Sequence, residues 1–211
     1  MKEYKLPIGC DVPETIILAD GDFPSHPLAL EWLRQCPYVV CCDGAANTYI
    51  RSGRMPEAIV GDGDSLLPDI KERYASLIHS EAEQETNDLS KAFRFCLSQE
   101  RKRITIMGAT GKREDHTIGN VSLLADYMEQ AEVSMMTDYG IFVPIREDSM
   151  FESYIGQQIS VFNMNSTALS AEGLAYPLSV FTNWWQGTLN EALARHFIIL
   201  TEGKVLVFRV F

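Results

Sequence analysis

From residue 15 to residue 136 the chain repeats one pattern: a short apolar run, a Gly/Asp punctuation, then a stretch with helical spacing. The apolar runs are residues 15–19, 38–42, 58–60, 104–107 and 133–136. Between them, residues 28–36, a stretch through Ile50 stopped by Ser52-Gly53, and a short segment opened by Pro68 read as helices. Residues 75–78 read as a weaker strand. The clearest helix carries Leu89, Phe93 and Cys96 or Leu97 at helical spacing, while Asn87, Asp88, Lys91 and Arg94 stay polar. A further helix is expected from Asp115 to about Met128. Strand alternating with helix implies a parallel sheet covered by helices on both faces.

Beyond about Asp138 the texture changes. Residues 141–143, 149–154, 159–162, 169–171, 197–200 and 205–208 are short β-like runs separated by Gly, Asn and Pro. Such spacing predicts an antiparallel sandwich. The expected fold is therefore α/β: an N-terminal three-layer parallel-sheet domain over residues 1–138, then a C-terminal antiparallel β-sandwich over residues 139–211. With 211 residues the chain is long enough for a sizeable core.

Charge narrows the function. Lys and Arg total 18 against 29 Asp and Glu, a formal net charge of -11. That balance argues against nucleic acid held through many basic contacts. A polyanionic small substrate then needs a local cation, and metal is the natural bridge. The five cysteines are odd in number and sit in strand-like or helix-like runs, which fits reduced buried thiols. The opening residues lack the apolar core of a signal peptide, and no run approaches membrane-spanning length. These features point to a cytoplasmic protein with no membrane contact.

Gly61-Asp62-Gly63-Asp64-Ser65 sets two carboxylates just after an apolar run, where a parallel sheet binds ligands. Such a pair suits Mg²⁺ shared with a substrate phosphate; it also suits a polar turn. Asp43, Asp88 and Asp115 stand at comparable positions, at strand ends or helix starts. Together these carboxylates would repel, and a divalent ion is the simplest compensation. Asp88 and Lys91 share a helix face, either to meet a phosphate or as a surface pair. Gly108-Ala109-Thr110-Gly111-Lys112-Arg113 has the glycines and cations of a phosphate-binding loop but is not a Walker A motif. His116 and Asn120 either orient a ligand or cap and pack. Tyr176, Trp184 and Trp185 form either an aromatic wall or core.

These motifs, in this order, resemble the thiamine pyrophosphokinase family. The likeness rests on Asp43-Gly44-Ala45-Ala46-Asn47, the Gly61 to Ser65 run, and Gln84 with Asp88 and Lys91-Ala92. It continues through the Gly108 loop with Arg113, Asp115, His116 and Asn120, and the Gly173 to Leu178 segment. The resemblance implies transfer of the pyrophosphoryl group of ATP to the hydroxyl of thiamine. It also implies an N-terminal nucleotide domain, a C-terminal sandwich and a homodimer with the active site between subunits. It assigns Asp43, Asp62, Asp64 and Asp88 to Mg²⁺, and Asn47, Gln84, Lys91, Arg113, Asp115 and His116 to ATP. Asp62, Asp64, Asp88 and Lys91 are the implied catalytic groups, and Asn190 and Trp185 the implied thiamine contacts. The chain departs from the family at Gly63, usually aromatic, at Glu83 and Glu85, usually Asp, and at Leu189, where a Ser-Asn pair is usual. The competing readings are a haloacid-dehalogenase-type phosphatase, lacking the expected Thr at Leu66, and a non-catalytic nucleotide or thiamine sensor.

Overall fold

A computed structural model describes residues 1–7, 11–81 and 85–211. In chain order the elements begin with β1 (Lys2–Tyr4), β2 (Thr15–Leu18), α1 (Pro27–Gln35), β3 (Val39–Cys42), α2 (Ala45–Arg51), β4 (Ala58–Gly61) and α3 (Pro68–Arg73). Next come β5 (Ile78–Ser80), α4 (Asp88–Ser98), β6 (Arg103–Met107), α5 (Glu114–Tyr127), β7 (Glu132–Met136), β8 (Gly140–Ile145) and β9 (Ser149–Glu152). The last are β10 (Gln158–Asn163), β11 (Leu169–Glu172), β12 (Asn190–Glu191), β13 (His196–Thr201) and β14 (Val205–Val210). The chain packs as two compact units. One is Gly9–Leu123 with Gln130–Asp138; the other is Met1–Ile8, Leu124–Glu129 and Tyr139–Phe211.

The first unit holds parallel strands in the order β7-β6-β2-β3-β4-β5. Every residue of β2, β3 and β4 is buried, which is why these runs read as continuously apolar rather than alternating. Helix α4 packs across β2, β3 and β4 through Leu89, Ala92, Phe93 and Cys96. From β2 the chain winds outward through β3, β4 and β5, then returns to place β6 on the other side of β2. The strand order therefore reverses between β2 and β6, the place where open parallel sheets form a ligand crevice at their carboxyl ends. One expectation fails here. Residues Ala75–Leu77 form a 3₁₀ turn, and the edge strand is Ile78–Ser80. The 75–78 run lacks β-branched residues before Ile78, so nothing in it favours extended backbone over a turn.

The second unit contains two four-stranded groups, β12-β10-β14-β8 and β1-β9-β13-β11. Their facing sides share one core, including Ile141, Phe151, Val161, Phe197, Ile199 and Val207. Burial alternates along β13 and β10, the two-residue period of a sheet with one face inward. Tyr4, Phe151 and Phe197 stack in a column, with centroids 4.8 and 5.0 Å apart. The opening segment departs from a simple division at residue 138. Strand β1 pairs in parallel with β9, and Arg209 donates to Lys5 O and Glu152 O, so residues at the start of the chain complete the sandwich. A three-residue run such as Lys2–Tyr4 carries too little periodicity to announce this.

Candidate functional site

The crevice at the switch point is built by the loops that follow β2 and β6. Three backbone hydrogen bonds seam them: Ala19 N to Met107 O at 2.8 Å, Gly21 N to Gly108 O at 2.6 Å and Asp22 N to Thr110 O at 2.8 Å. Gly108 has φ +64°, and a Cβ there would stand 2.6 Å from Ala19 O. Only glycine allows both the turn and the approach. The Asn120 amide then braces the loop, donating to Ala109 O and accepting from Asn87 Nδ2, while Asn87 Oδ1 caps α4 at Ser90 N. His116 and Asn120 were open to either a ligand or a structural role; Asn120 holds the loop, and His116 lines the crevice.

The crevice encloses about 450 Å³, with Asp20, Cys42, Asp88, Lys112, Arg113 and His116 among its lining residues. Its cations each face a carboxylate. Lys112 Nζ lies 3.0 Å from Asp20 Oδ1 and 2.9 Å from Asp20 O. Arg113 forks onto Asp115 at 3.1 and 2.5 Å, which raises the guanidinium pKa and lowers the carboxyl's. Lys91, outside that lining and with its side chain only 5% exposed, reaches Oδ1 of the lining residue Asp88 at 3.1 Å.

Beside the crevice, the loops after β3 and β4 bring Asp43, Asp62 and Asp64 together, with one carboxylate oxygen from each inside a 4.8 Å span. Asp43 is buried and has φ +32°; its Oδ2 accepts from Ser65 N at 3.1 Å. Its Oδ1 is buried with no hydrogen-bond partner. Burial raises the Asp43 pKa to about 6, and the adjoining Asp64 carboxyl and the charge of Asp88 push the same way. Asp64, exposed, is lowered chiefly by the Ser65 hydroxyl that donates to it. A β-carbon on Gly61 would lie 2.8 Å from the Asp43 Cβ, so glycine at the end of β4 admits the buried acid.

Hard oxygen donors, crowded, one of them buried and lacking a donor, fit a small divalent cation. Asp88 is not in this group of three; it contributes through its field and its ion pair. Asn47 lies at the loop's inner side, where its amide donates to Ser65 O and accepts from Leu67 N. It therefore shapes the Asp62 to Ser65 loop. Gly63 has φ +75°, and Lys71 Nζ donates to its carbonyl at 2.6 Å while lying 3.3 Å from where a Cβ would stand. The lysine occupies the space beside the glycine. Gln84 and Glu83 lie outside the described residues.

In the second unit, Trp184 and Trp185 stand on a 3₁₀ turn, Trp184–Gly187, rather than on a strand. Trp184 packs edge-on against Phe162, and Trp185 is 73% exposed. The turn is closed by a capping box between Asn183 and Gln186, a pattern legible as helix start but hidden by the aromatic run. Asn190 is buried, and both ends of its amide engage the Tyr176 backbone, at 3.0 and 2.8 Å. Sequence reasoning passed over Asp20 and gave Lys112 no role of its own. The signal was available: Asp20-Gly21-Asp22 follows β2 as Asp43 follows β3.

This fold and site define an α/β protein that gathers carboxylates and cations at the carboxyl ends of parallel strands, and that carries a separate β-sandwich. Residues 29–136 match the family model of the thiamin pyrophosphokinase catalytic domain, and residues 140–208 that of its substrate-binding domain. The chain belongs to the thiamin pyrophosphokinase family. It is 30% identical over 129 residues to thiamine pyrophosphokinase 1 of Oryza sativa subsp. japonica, covering 49% of each chain. It is 34% identical over 86 residues to thiamine pyrophosphokinase of Bacillus subtilis, covering 39% of this chain and 40% of that one. The matches thus span about half the length or less of these curated relatives. In fold it is similar to thiamin pyrophosphokinase from Candida albicans, with a TM-score of 0.80 at 18% identity, covering all of this chain and 93% of the other. The yeast enzyme gives 0.79 at 16% identity, over 100% and 91%.

Proposed function

We propose that this chain transfers the pyrophosphoryl group of ATP to the hydroxyl of thiamine, giving thiamine diphosphate and AMP. The observation that carries the reading is the trio Asp43, Asp62 and Asp64, crowded around an orphaned buried oxygen beside a crevice that holds Lys112, Arg113 and His116. In this reading the three aspartates hold Mg²⁺, with Asp88 in support. Bound there, the ion neutralises the triphosphate and draws charge from the reacting phosphoryl oxygens.

The chain's own residues do the rest. The Gly108 loop and the start of α5 receive phosphate oxygens on backbone N–H groups. Lys91 and Arg113 place positive charge where negative charge builds up on the phosphoryl oxygens in the transition state. The thiamine hydroxyl forms its bond to the β-phosphorus as the bond to the α-phosphate oxygen breaks, and AMP carries away that electron pair. The hydroxyl proton passes to a carboxylate of the cluster. Asn47 keeps the Asp62 to Ser65 loop in register, and Gln84, Asp115 and His116 orient the nucleotide. On the vitamin side, exposed Trp185 offers a face to the cationic thiazolium, and Asn190 acts through the Tyr176 segment that it clamps.

The working protein is a homodimer with its active site between subunits, in a reducing compartment, the cytoplasm. The unpaired state of Cys36, Cys41, Cys42 and Cys96 supports that compartment. Among the described residues, no helix is long and apolar enough to cross a membrane.

Incubating the protein with ATP, Mg²⁺ and thiamine should yield AMP and thiamine diphosphate in equal amounts, resolved by chromatography. Asp62→Asn should lower that rate at least about a hundredfold with unchanged circular dichroism. Phosphate release without thiamine would show a phosphatase instead, and binding without turnover a sensor.

A further inference from the structure

The reading above counts Lys112 only as a cation of the crevice and gives Asp20 no part, yet the two form a pair and both line the crevice. Lys112 sits at φ +57°, a backbone conformation that few non-glycine residues adopt, and it directs its ammonium back across the seam to Asp20. The pair is not what closes the seam: three backbone hydrogen bonds already join the β2 and β6 loops. Both side chains remain about half exposed, 54% for Lys112 and 47% for Asp20, so solvent screens the contact and it is cheap to break. The other Asp20 oxygen, Oδ2, lies beside Gly44, where an added Cβ would meet it at 2.7 Å. Asp20 thus stands between Gly44 and the Gly108 loop, and the Lys112 ammonium bridges its Oδ1 and its backbone oxygen, so that loss of the carboxylate partner leaves the carbonyl contact behind.

We propose that Lys112 is a phosphate-contacting residue of this crevice, with Asp20 as its resident counterion: an incoming polyphosphate takes the Lys112 ammonium from Asp20. The inference rests on the nucleotide reading of the crevice and adds a residue and a selectivity to it. A single exposed carboxylate competes poorly with the two or more charges of a di- or triphosphate chain, and well with a neutral nucleoside. The exchange therefore favours ligands by phosphate charge. Asp20 keeps the ammonium in place, and partly neutralised, until such a chain arrives.

The test is equilibrium binding of ATP, and of adenosine as the uncharged control, to the full chain by titration calorimetry. Each titration is run with a chelator and again with Mg²⁺, on wild type, Lys112→Met, Lys112→Arg and Asp20→Asn. Lys112→Met should weaken ATP about tenfold and leave adenosine unchanged, and Lys112→Arg should recover most of the loss. Asp20→Asn should act in the opposite direction, tightening ATP about two- to threefold in the chelator, because the competing anion is gone. Opposite signs from the two halves of one ion pair cannot come from lost stability. If wild type binds ATP but Lys112→Met binds it equally well, or if Asp20→Asn weakens it in the chelator, the counterion exchange is wrong and the nucleotide reading stands. If wild type binds no ATP under either condition, both fall together.

Discussion

Asp43 is an acid held where an acid is costly. It is buried, one of its oxygens has no donor, and the Asp64 carboxyl stands against it, so its pKa rises to about 6. The sign of the effect on stability follows from that direction. A carboxyl whose folded pKa lies above its unfolded value favours the fold at low pH. That advantage is lost as pH rises from about 4 through about 6. Asp43→Asn should therefore raise the melting temperature of the metal-free protein at pH 7.5 by a few degrees, and the gain should vanish near pH 4. Adding Mg²⁺ at pH 7.5 should stabilise the wild type and leave Asp43→Asn unmoved; scanning calorimetry reads both. Equal Mg²⁺ stabilisation of the two proteins would remove Asp43 from the ion's ligands.

At the scale of elements, the site depends on how closely the β2 and β6 loops approach, and Gly108 sets that distance. Gly108→Ala combines a positive φ with a Cβ 2.6 Å from Ala19 O. It should cost about 1–3 kcal/mol in urea unfolding and loosen the Gly108 loop, seen as faster amide exchange at Gly21 and Asp22. Much at this scale was legible in the sequence. The buried strands β2, β3 and β4 were readable because a strand covered on both faces is apolar at every position. The Asp43 and Asp62 runs could be placed at strand ends because Gly-Asp punctuation is also turn chemistry. Less legible was anything set by an ordering of strands rather than a period along one. That β2 and β6 are neighbours, and so that Asp20 faces Lys112, depends on a return crossing that no local pattern encodes. The 3₁₀ turn that carries the two tryptophans had a local signal, the capping box of Asn183 and Gln186, but the aromatic run between them hid it. Asn47 and Asn190, read as ligand contacts, spend their amides on backbone; a polar side chain in a loop looks the same in sequence whichever partner it finds.

For the whole molecule, the proposed inter-subunit site makes a demand on mixtures. Asp62→Asn disables the first unit and Trp185→Ala the second, so each variant alone should be nearly inactive. Mixed in equal amounts and allowed to exchange subunits, half the dimers are hybrids with one intact site of two. About a quarter of wild-type turnover should return. No recovery, with subunit exchange verified by light scattering of differently sized fusions, would place each site within one chain.

The two units are not built from consecutive stretches of chain. Leu6 N donates to Glu152, 146 residues further on, and Arg209 reaches back 204 residues to Lys5. As the chain leaves the ribosome, the strands of the α/β unit find their partners among residues 15–136, while Lys2–Tyr4, made before them, finds none there. Lys2–Tyr4 must stay unpaired until β9 has been made, and the neighbouring Lys5 carbonyl waits for Arg209. The sandwich therefore closes after the strands of the α/β unit have been made, and it closes around a segment synthesised before them.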